Sequence, residues 1–488
     1  MKFEMVQADK DSLVARADQT ELALSEKRAP ARQRLASLLD RVIFYSLIII
    51  IALTAIPYGA VEPWWEALFV CLSLSLTALW IIEGMLGGAW RISGLGMLAP
   101  LAALIIYALV QTLASLGPLS VSAYDTRLFA FKLLGITLAG ALLLRYTSSR
   151  YRLRVLIYLV IGVGVASALF GILRQTTQRD APGFFLPFLM PDYGYGQFIN
   201  RNHFAFLMEM ALGLALGMVV GGGERRDRLL IYLAAALPVW TALVLSNSRG
   251  GIFSMLSQLL FLALMFSIMR PARDLPERGE GAFVRLKRRA NSAVVRIVLM
   301  VCLVLAMIVG VLWMGGDPLA QRLESMQGEA GQVGEDGRES AYRMKIWGAT
   351  LRLTRDHWLA GVGFGAYWVA ISEYYDASGR SKPYEAHNDY LEVLASGGLI
   401  GAALVAWFIV ALIRRARSCF RSSDSFRRTA ALGALAGLFG VAVHSLMDFG
   451  LQITINANIC AVLIVIATAD RRVEEKRTPS VSVLKRRP

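Results

Sequence analysis

Five short strings in this 488-residue chain bring guanidinium, imidazole and carboxylate groups together with turn-forming residues. Asn200-Arg201-Asn202-His203 precedes a long apolar run, so Arg201 and His203 stand where a helix begins; the free N–H groups and dipole of such a terminus favour an anion. Ser246-Asn247-Ser248-Arg249-Gly250-Gly251 joins two apolar runs in a turn so short that Arg249 is held close to the membrane surface. Its two glycines let a ligand approach the backbone, and Ser248 adds a hydroxyl. Arg343 comes one helical turn before Trp347, and a guanidinium meets a phosphate bidentately, a geometry that lysine lacks. In His387-Asn388-Asp389-Tyr390-Leu391-Glu392 the imidazole can take a proton near neutral pH, with Asp389 or Glu392 placed to fix its tautomer. His444 and Asp448, four apart, share one helix face. Each string also has a plain structural reading. Arg201 can snorkel and His203 cap; residues 246–251 can be a polar hairpin turn. Arg343, Arg352 and Arg355 can form a solubilising helix face, His387 can be a cap, and His444 with Asp448 can clamp two helices.

Cations and a base beside lipid suit a lipid-borne anionic leaving group such as a polyprenyl diphosphate. Its charge grows as its bond to a sugar breaks, and preorganised guanidinium groups stabilise that charge in a partly dewatered site. The acceptor is then a hydroxyl, deprotonated by His387 as it attacks the anomeric carbon. Arg201, Arg249 and His387 are the expected catalytic groups. Asn200, His203, Ser248, Arg343, Trp347, Asn388, Asp389 and Glu392 are expected to line the diphosphate or glycan site, with His444 and Asp448 in a structural or secondary place. Trp347 and the loop aromatics Trp358, Tyr367, Trp368, Tyr374 and Tyr375 can stack on sugar rings, core packing being the competing explanation. No clustered Asp-x-Asp pair offers itself to a divalent metal, so the expected mechanism uses neither metal nor cofactor.

The elements that position these groups must be membrane helices. Hydrophobic residues make up 56% of the chain and charged residues 18%, against about 45–50% and 25% in soluble domains. Mean hydropathy is +0.51. This excludes an ordinary soluble enzyme. About twelve apolar segments, near 42–58, 65–83, 94–115, 127–144, 155–173, 203–221, 229–246, 251–269, 297–315, 391–413, 429–447 and 451–469, are each long enough to cross a bilayer as a helix. The expected fold is an all-α polytopic membrane protein. It comprises a polar cytoplasmic leader (1–41), nine spans (42–315), a large outward loop of short helices (316–390), three more spans (391–469) and a basic cytoplasmic tail (470–488). In the loop, Ser340 is expected to cap a helix that Gly361-Val362-Gly363-Phe364-Gly365 ends.

The formal charge of +15 does not require nucleic acid. About 37 of the 51 Lys and Arg residues fall in the leader, the tail and every second connection, which makes that side cytoplasmic. Arg225-Arg226-Asp227-Arg228 and Arg414-Arg415-Ala416-Arg417 read as topology anchors that touch membrane lipids. All five chemical strings then fall on the opposite, outer face. Cys71, Cys302, Cys419 and Cys460 are scattered singly, with no disulfide framework or zinc spacing.

Taken in order around one large outward loop, these strings resemble the O-antigen ligase and polymerase superfamily of bacterial membrane glycosyltransferases, over residues 200–458. The resemblance implies an all-helical inner-membrane protein whose periplasmic loop covers a lateral, lipid-accessible cavity. It implies transfer of a glycan from undecaprenyl diphosphate to lipid A-core, to another lipid-linked repeat or, in relatives, to a protein, with inversion at the anomeric carbon. It further implies that Arg201 and Arg249 bind the diphosphate, that Arg343 assists, and that His387 is the base. Other polysaccharide-assembly proteins are implied partners. Residues 1–180 carry no motif of that family, and the polar leader lies outside its pattern. The alternatives are a glycan transporter or flippase, which would show two similar halves and charges at mid-membrane, and a non-catalytic assembly scaffold.

Overall fold

The computed structural model describes residues 31–268 and 335–474, apart from 57, 88–89, 91–93, 114–118, 178–193 and 376–381. Its α-helices, numbered in chain order, begin with α1 (Ala31–Leu53), α2 (Pro63–Gly87), α3 (Leu95–Gln111), α4 (Ala123–Tyr146) and α5 (Arg150–Thr177). They continue with α6 (Arg201–Val220), α7 (Arg226–Leu245), α8 (Arg249–Ile268), α9 (Glu335–Asp356), α10 (Tyr367–Ala370), α11 (Asp389–Phe420), α12 (Ser425–His444) and α13 (Thr454–Ala467). Among the described residues, nine helices are long and apolar enough to cross a membrane, and α3 and α13 are shorter apolar helices. The chain is a multi-pass membrane protein. The expected ninth span, most of the leader and residues 316–334 lie outside the described residues.

Three boundaries differ from expectation. α1 begins at Ala31, inside the expected leader, because Arg32, Gln33, Arg34 and Leu35 are good helix formers that carry the helix past the hydrocarbon. α9 begins at Glu335, so Ser340 lies within the helix rather than at its cap. α11 is two helices joined at Gly398, whose φ of 59° and ψ of −161° are not helical. Residues 357–363 dock against this break. The Leu399 and Ile400 amides donate to the carbonyls of Trp358 and Leu359 (2.8 and 3.2 Å), and those of Val362 and Gly363 donate to Ala395 and Ser396 (both 3.0 Å). A Cβ at residue 398 would lie 2.4 Å from the Leu359 carbonyl oxygen, so only glycine combines this conformation with this contact.

α6 is the axis of the bundle. It is apolar on every side and has sixteen buried residues, wrapped by α5, α7, α8, α12 and α13. Lipid tails give apolar helices little reason to associate, so close backbone approach and polar cross-links must hold them. Gly213 and Gly217 meet Gly437 and Gly433 of α12 backbone to backbone. Gln258 of α8 donates to the Glu209 carbonyl (2.9 Å), and Ser254 donates to that of Gly440 (2.8 Å). At one end of the bundle α9 and α10 pack on the start of α11, with Ala349, Leu353, Val362, Tyr367, Ile371, Ala386 and Ala395 as their core.

Candidate functional site

Three helix starts at the same end of the bundle present the chemical groups. Asn200 caps α6, its side-chain oxygen accepting from the Asn202 amide at 2.8 Å, and this fixes Arg201 in the first turn. Ser248, fully buried, accepts from the Gly251 amide at 3.1 Å and fixes Arg249 at the start of α8. Asn388 caps α11, accepting from Tyr390 and Leu391 at 3.0 and 3.1 Å, and donates to the Leu446 carbonyl at 2.9 Å. The side-chain oxygens of these three residues, expected at the ligand, are spent on the backbone that aims their neighbours.

The turn before α11 is tied on every side. Trp347 donates from Nε1 to the Ala386 carbonyl (3.0 Å), and Glu392 accepts from the Ala386 amide (3.0 Å) and from Gln452 (2.5 Å). The Asp389 amide donates to the Ser445 carbonyl (3.0 Å), while the Ser445 hydroxyl donates to Asp389 Oδ2 (2.7 Å). Within this frame His387 adopts φ +50° and Asn247, beside Arg249, φ +59°. Non-glycine residues enter that region at a cost, and such strain gathers where side chains must be aimed.

Asp448 is the centre of the arrangement. Its side chain is 1% exposed. Oδ1 meets His387 Nδ1 at 3.1 Å and accepts from the Phe449 amide at 3.0 Å; Oδ2 accepts from Asn202 and lies 3.7 Å from Arg343. Burial alone would raise its pKa, but the hydrogen bond from His387 and the charges of His203, His387 and Arg343 outweigh burial and hold the carboxyl well below the usual range. Expectation gave the partner of His387 as Asp389 or Glu392. The structure corrects this: the first turn of α11 directs both of those towards Ser445 and Gln452, and Asp448 takes the imidazole.

Arg201, Arg249 and Arg343 line one hollow of about 70 Å³, together with Asn202, Asn247, His444 and Asp448. Arg343 is steadied by donation to the Met447 carbonyl at 2.9 Å. Residue 250 has to be glycine, because a Cβ there would lie 2.5 Å from His444 Nε2. His387 does not line this hollow and reaches it through Asp448. His203 does not line it either; its ring packs edge-on against Phe449, whose other neighbour is the His387 ring (centroids 4.6 and 5.1 Å). His444 and Asp448 do not clamp each other. His444 Nδ1 instead meets Glu209 at 3.1 Å, with both side chains buried, and Phe206 stacks on its ring at 4.0 Å. Sequence reasoning missed Glu209, although a lone carboxylate within the apolar run Phe204–Leu212 was a signal, since an ionisable group at membrane depth needs a partner.

Glu385 stands beside the turn, and burial and the nearby Glu392 push its carboxyl up to about 9. A carboxyl raised on folding keeps a proton that the unfolded chain has lost, so stability falls as pH rises from the ordinary glutamate range to about 9. Glu385→Gln should therefore melt like the parent near about pH 5 and at higher temperature near about pH 9. Thermal melts of the purified protein at both values check this; parallel curves for the two proteins would refute it.

No curated protein matches the chain. Residues 233–406, from within α7 to within α11, match the O-antigen ligase family, and the match takes in Arg249, Arg343 and His387. That match supports placing the chain in the O-antigen ligase and polymerase superfamily.

Proposed function

We propose that the protein transfers a glycan from undecaprenyl diphosphate to an acceptor hydroxyl at the periplasmic face of the inner membrane, with inversion and with arginines in place of a metal. The acceptor is lipid A-core or a growing polysaccharide. The observation that carries this reading is the hollow itself, where guanidinium groups from α6, α8 and α9 converge beside the carboxylate that holds His387. As the anomeric carbon–oxygen bond breaks, the growing negative charge on the diphosphate is met by Arg201, Arg249 and Arg343. His387 takes the acceptor proton on Nε2 while Nδ1–H donates to Asp448, and the ionised carboxylate stabilises the imidazolium that forms.

Arg201→Ala and Arg249→Ala should each weaken binding of undecaprenyl diphosphate by roughly tenfold to hundredfold, the cost of losing a hydrogen bond to a charged group. Binding is measured on purified protein in proteoliposomes, with melting temperature as the control for folding. Unchanged binding in both variants would remove the arginines from the donor site. The phenotype of a deletion separates ligase from polymerase: loss of a polymerase leaves single repeats attached, and loss of a ligase leaves long chains on the carrier lipid.

A further inference from the structure

The membrane core holds a second pairing of an imidazole with a carboxyl, which the transfer proposed above leaves unused. His444 Nδ1 lies 3.1 Å from Glu209 Oε2, the same separation as His387 Nδ1 from Asp448 Oδ1. The two pairs differ in what else surrounds the carboxyl. Both oxygens of Asp448 are occupied, Oδ1 by His387 and the Phe449 amide, Oδ2 by Asn202 and, at 3.7 Å, by Arg343. Among the described residues Glu209 is ion-paired with His444 alone, and its buried Oε1 has no hydrogen-bond partner. It stands about 12 Å along the helix from the start of α6, with its side chain 0% exposed. A net charge is costly at that depth, so the pair holds two protons and is neutral as a whole. One proton lies between Oε2 and Nδ1. Whether it sits on the carboxyl or on the imidazole, the other is left on Nε2. The Nε2 edge of the ring meets Gly250, where a Cβ would intrude to 2.5 Å, and His444 and Gly250 both line the arginine hollow. Phe206, stacked on the ring at 4.0 Å, keeps that edge in place.

We propose, resting on the transferase reading above, that His444 hydrogen-bonds the lipid diphosphate through Nε2–H, and that Glu209 is the positioning residue that keeps the hydrogen there. His444 thus adds a neutral hydrogen-bond donor to the three guanidinium groups of the hollow. The two histidines have opposite duties. His387, on an ionised carboxylate, presents a bare Nε2 that accepts the proton of the attacking hydroxyl. His444, on a carboxyl that shares its proton, presents an N–H. As the anomeric carbon–oxygen bond breaks, its electron pair stays with the diphosphate, and the hydrogen bond from His444 strengthens as the charge on those oxygens grows. No proton has to leave His444.

The test is nitrogen NMR of the full chain in proteoliposomes with isotope-labelled histidine, of which it has four. The His444 resonances are assigned by their absence from a Glu209→Leu/His444→Phe variant, which leaves no carboxyl unpaired. If that variant fails to fold, the resonances that move in Glu209→Gln assign them instead. Before lipid is added Nε2 should be protonated. Undecaprenyl diphosphate should shift its resonance, and undecaprenol, which lacks phosphate, should not. In Glu209→Gln the amide can donate to Nδ1, so the protonated Nε2 should persist; in Glu209→Leu a second tautomer, protonated on Nδ1, should appear. The double variant should bind undecaprenyl diphosphate about tenfold more weakly than the parent, the loss of one hydrogen bond to a charged group. A bare Nε2 in the lipid-free parent would overturn the proton count. A His444 resonance unmoved by undecaprenyl diphosphate that binds, or parent-like binding by the double variant, would overturn the contact and leave the arginine site standing. A parent that bound no undecaprenyl diphosphate would overturn the arginine site and this contact with it.

Discussion

Replacing His387 by alanine is expected to lower glycan transfer by about 10²–10⁴-fold, the usual contribution of a positioned general base. Binding of undecaprenyl diphosphate should be unchanged, because His387 does not line the arginine hollow. The left-handed backbone at this residue requires a control for strain, and His387→Asn supplies it, since asparagine enters that region more readily than alanine. If His387→Asn kept more than roughly a tenth of the parent rate, proton transfer by the imidazole would be excluded. Asp448→Asn carries the argument one step further. Asparagine keeps the shape but can donate its own amide hydrogen to Nδ1, which sends the imidazole proton to Nε2, the atom that must accept. Transfer should fall by a factor approaching that of the histidine variants, as expected where the carboxylate sets the tautomer. An Asp448→Asn variant with full activity would break the link between the carboxylate and the base.

Gly217→Leu is expected to prevent accumulation of folded protein in the membrane. A Cβ at residue 217 lies 2.1 Å from the Cα of Gly433, so α6 and α12 must separate along the crossing that holds the bundle together. Overpacking against movable side chains costs about 1–3 kcal/mol, and here the obstacle is backbone. Gly162→Ala in α5 is the control, since nothing lies within 4 Å of a Cβ there. The yield of monodisperse protein after extraction, and its melting temperature, should separate the two variants sharply. Equal melting of Gly217→Leu and the parent would mean that α6 and α12 do not pack as described.

Much of the fold is legible in the sequence because helix length in a bilayer is set locally. An apolar run long enough to span the hydrocarbon has few alternatives to a helix, and the eleven expected segments within the described residues coincide with helices. Local patterns also place Arg201, Arg249 and Arg343, whose strings are helix starts or helix faces, although not their meeting in one hollow. What escapes local reading is pairing across the chain. Asp448 binds His387 across 61 residues and Asn202 across 246, and no periodicity in either string encodes that choice. The same limit hid Glu209 behind the apparent pairing of His444 with Asp448. The break at Gly398 was hidden as well, because it exists only through the docking of residues 357–363.

The enclosure of α6 also constrains biosynthesis. His444, the partner of Glu209, is translated 235 residues after it, and all of α12 and α13 follow the loop that carries Arg343. Until those last helices insert, the glycine face of α6 and its lone carboxylate stand open to bilayer or to insertion machinery, and Asp448 does not yet exist to hold the base. A ribosome stalled before α12 therefore leaves a chain already threaded through the membrane but without an assembled centre. The contacts of Asp448 with His387 and Asn202 are therefore among the last that the chain can complete.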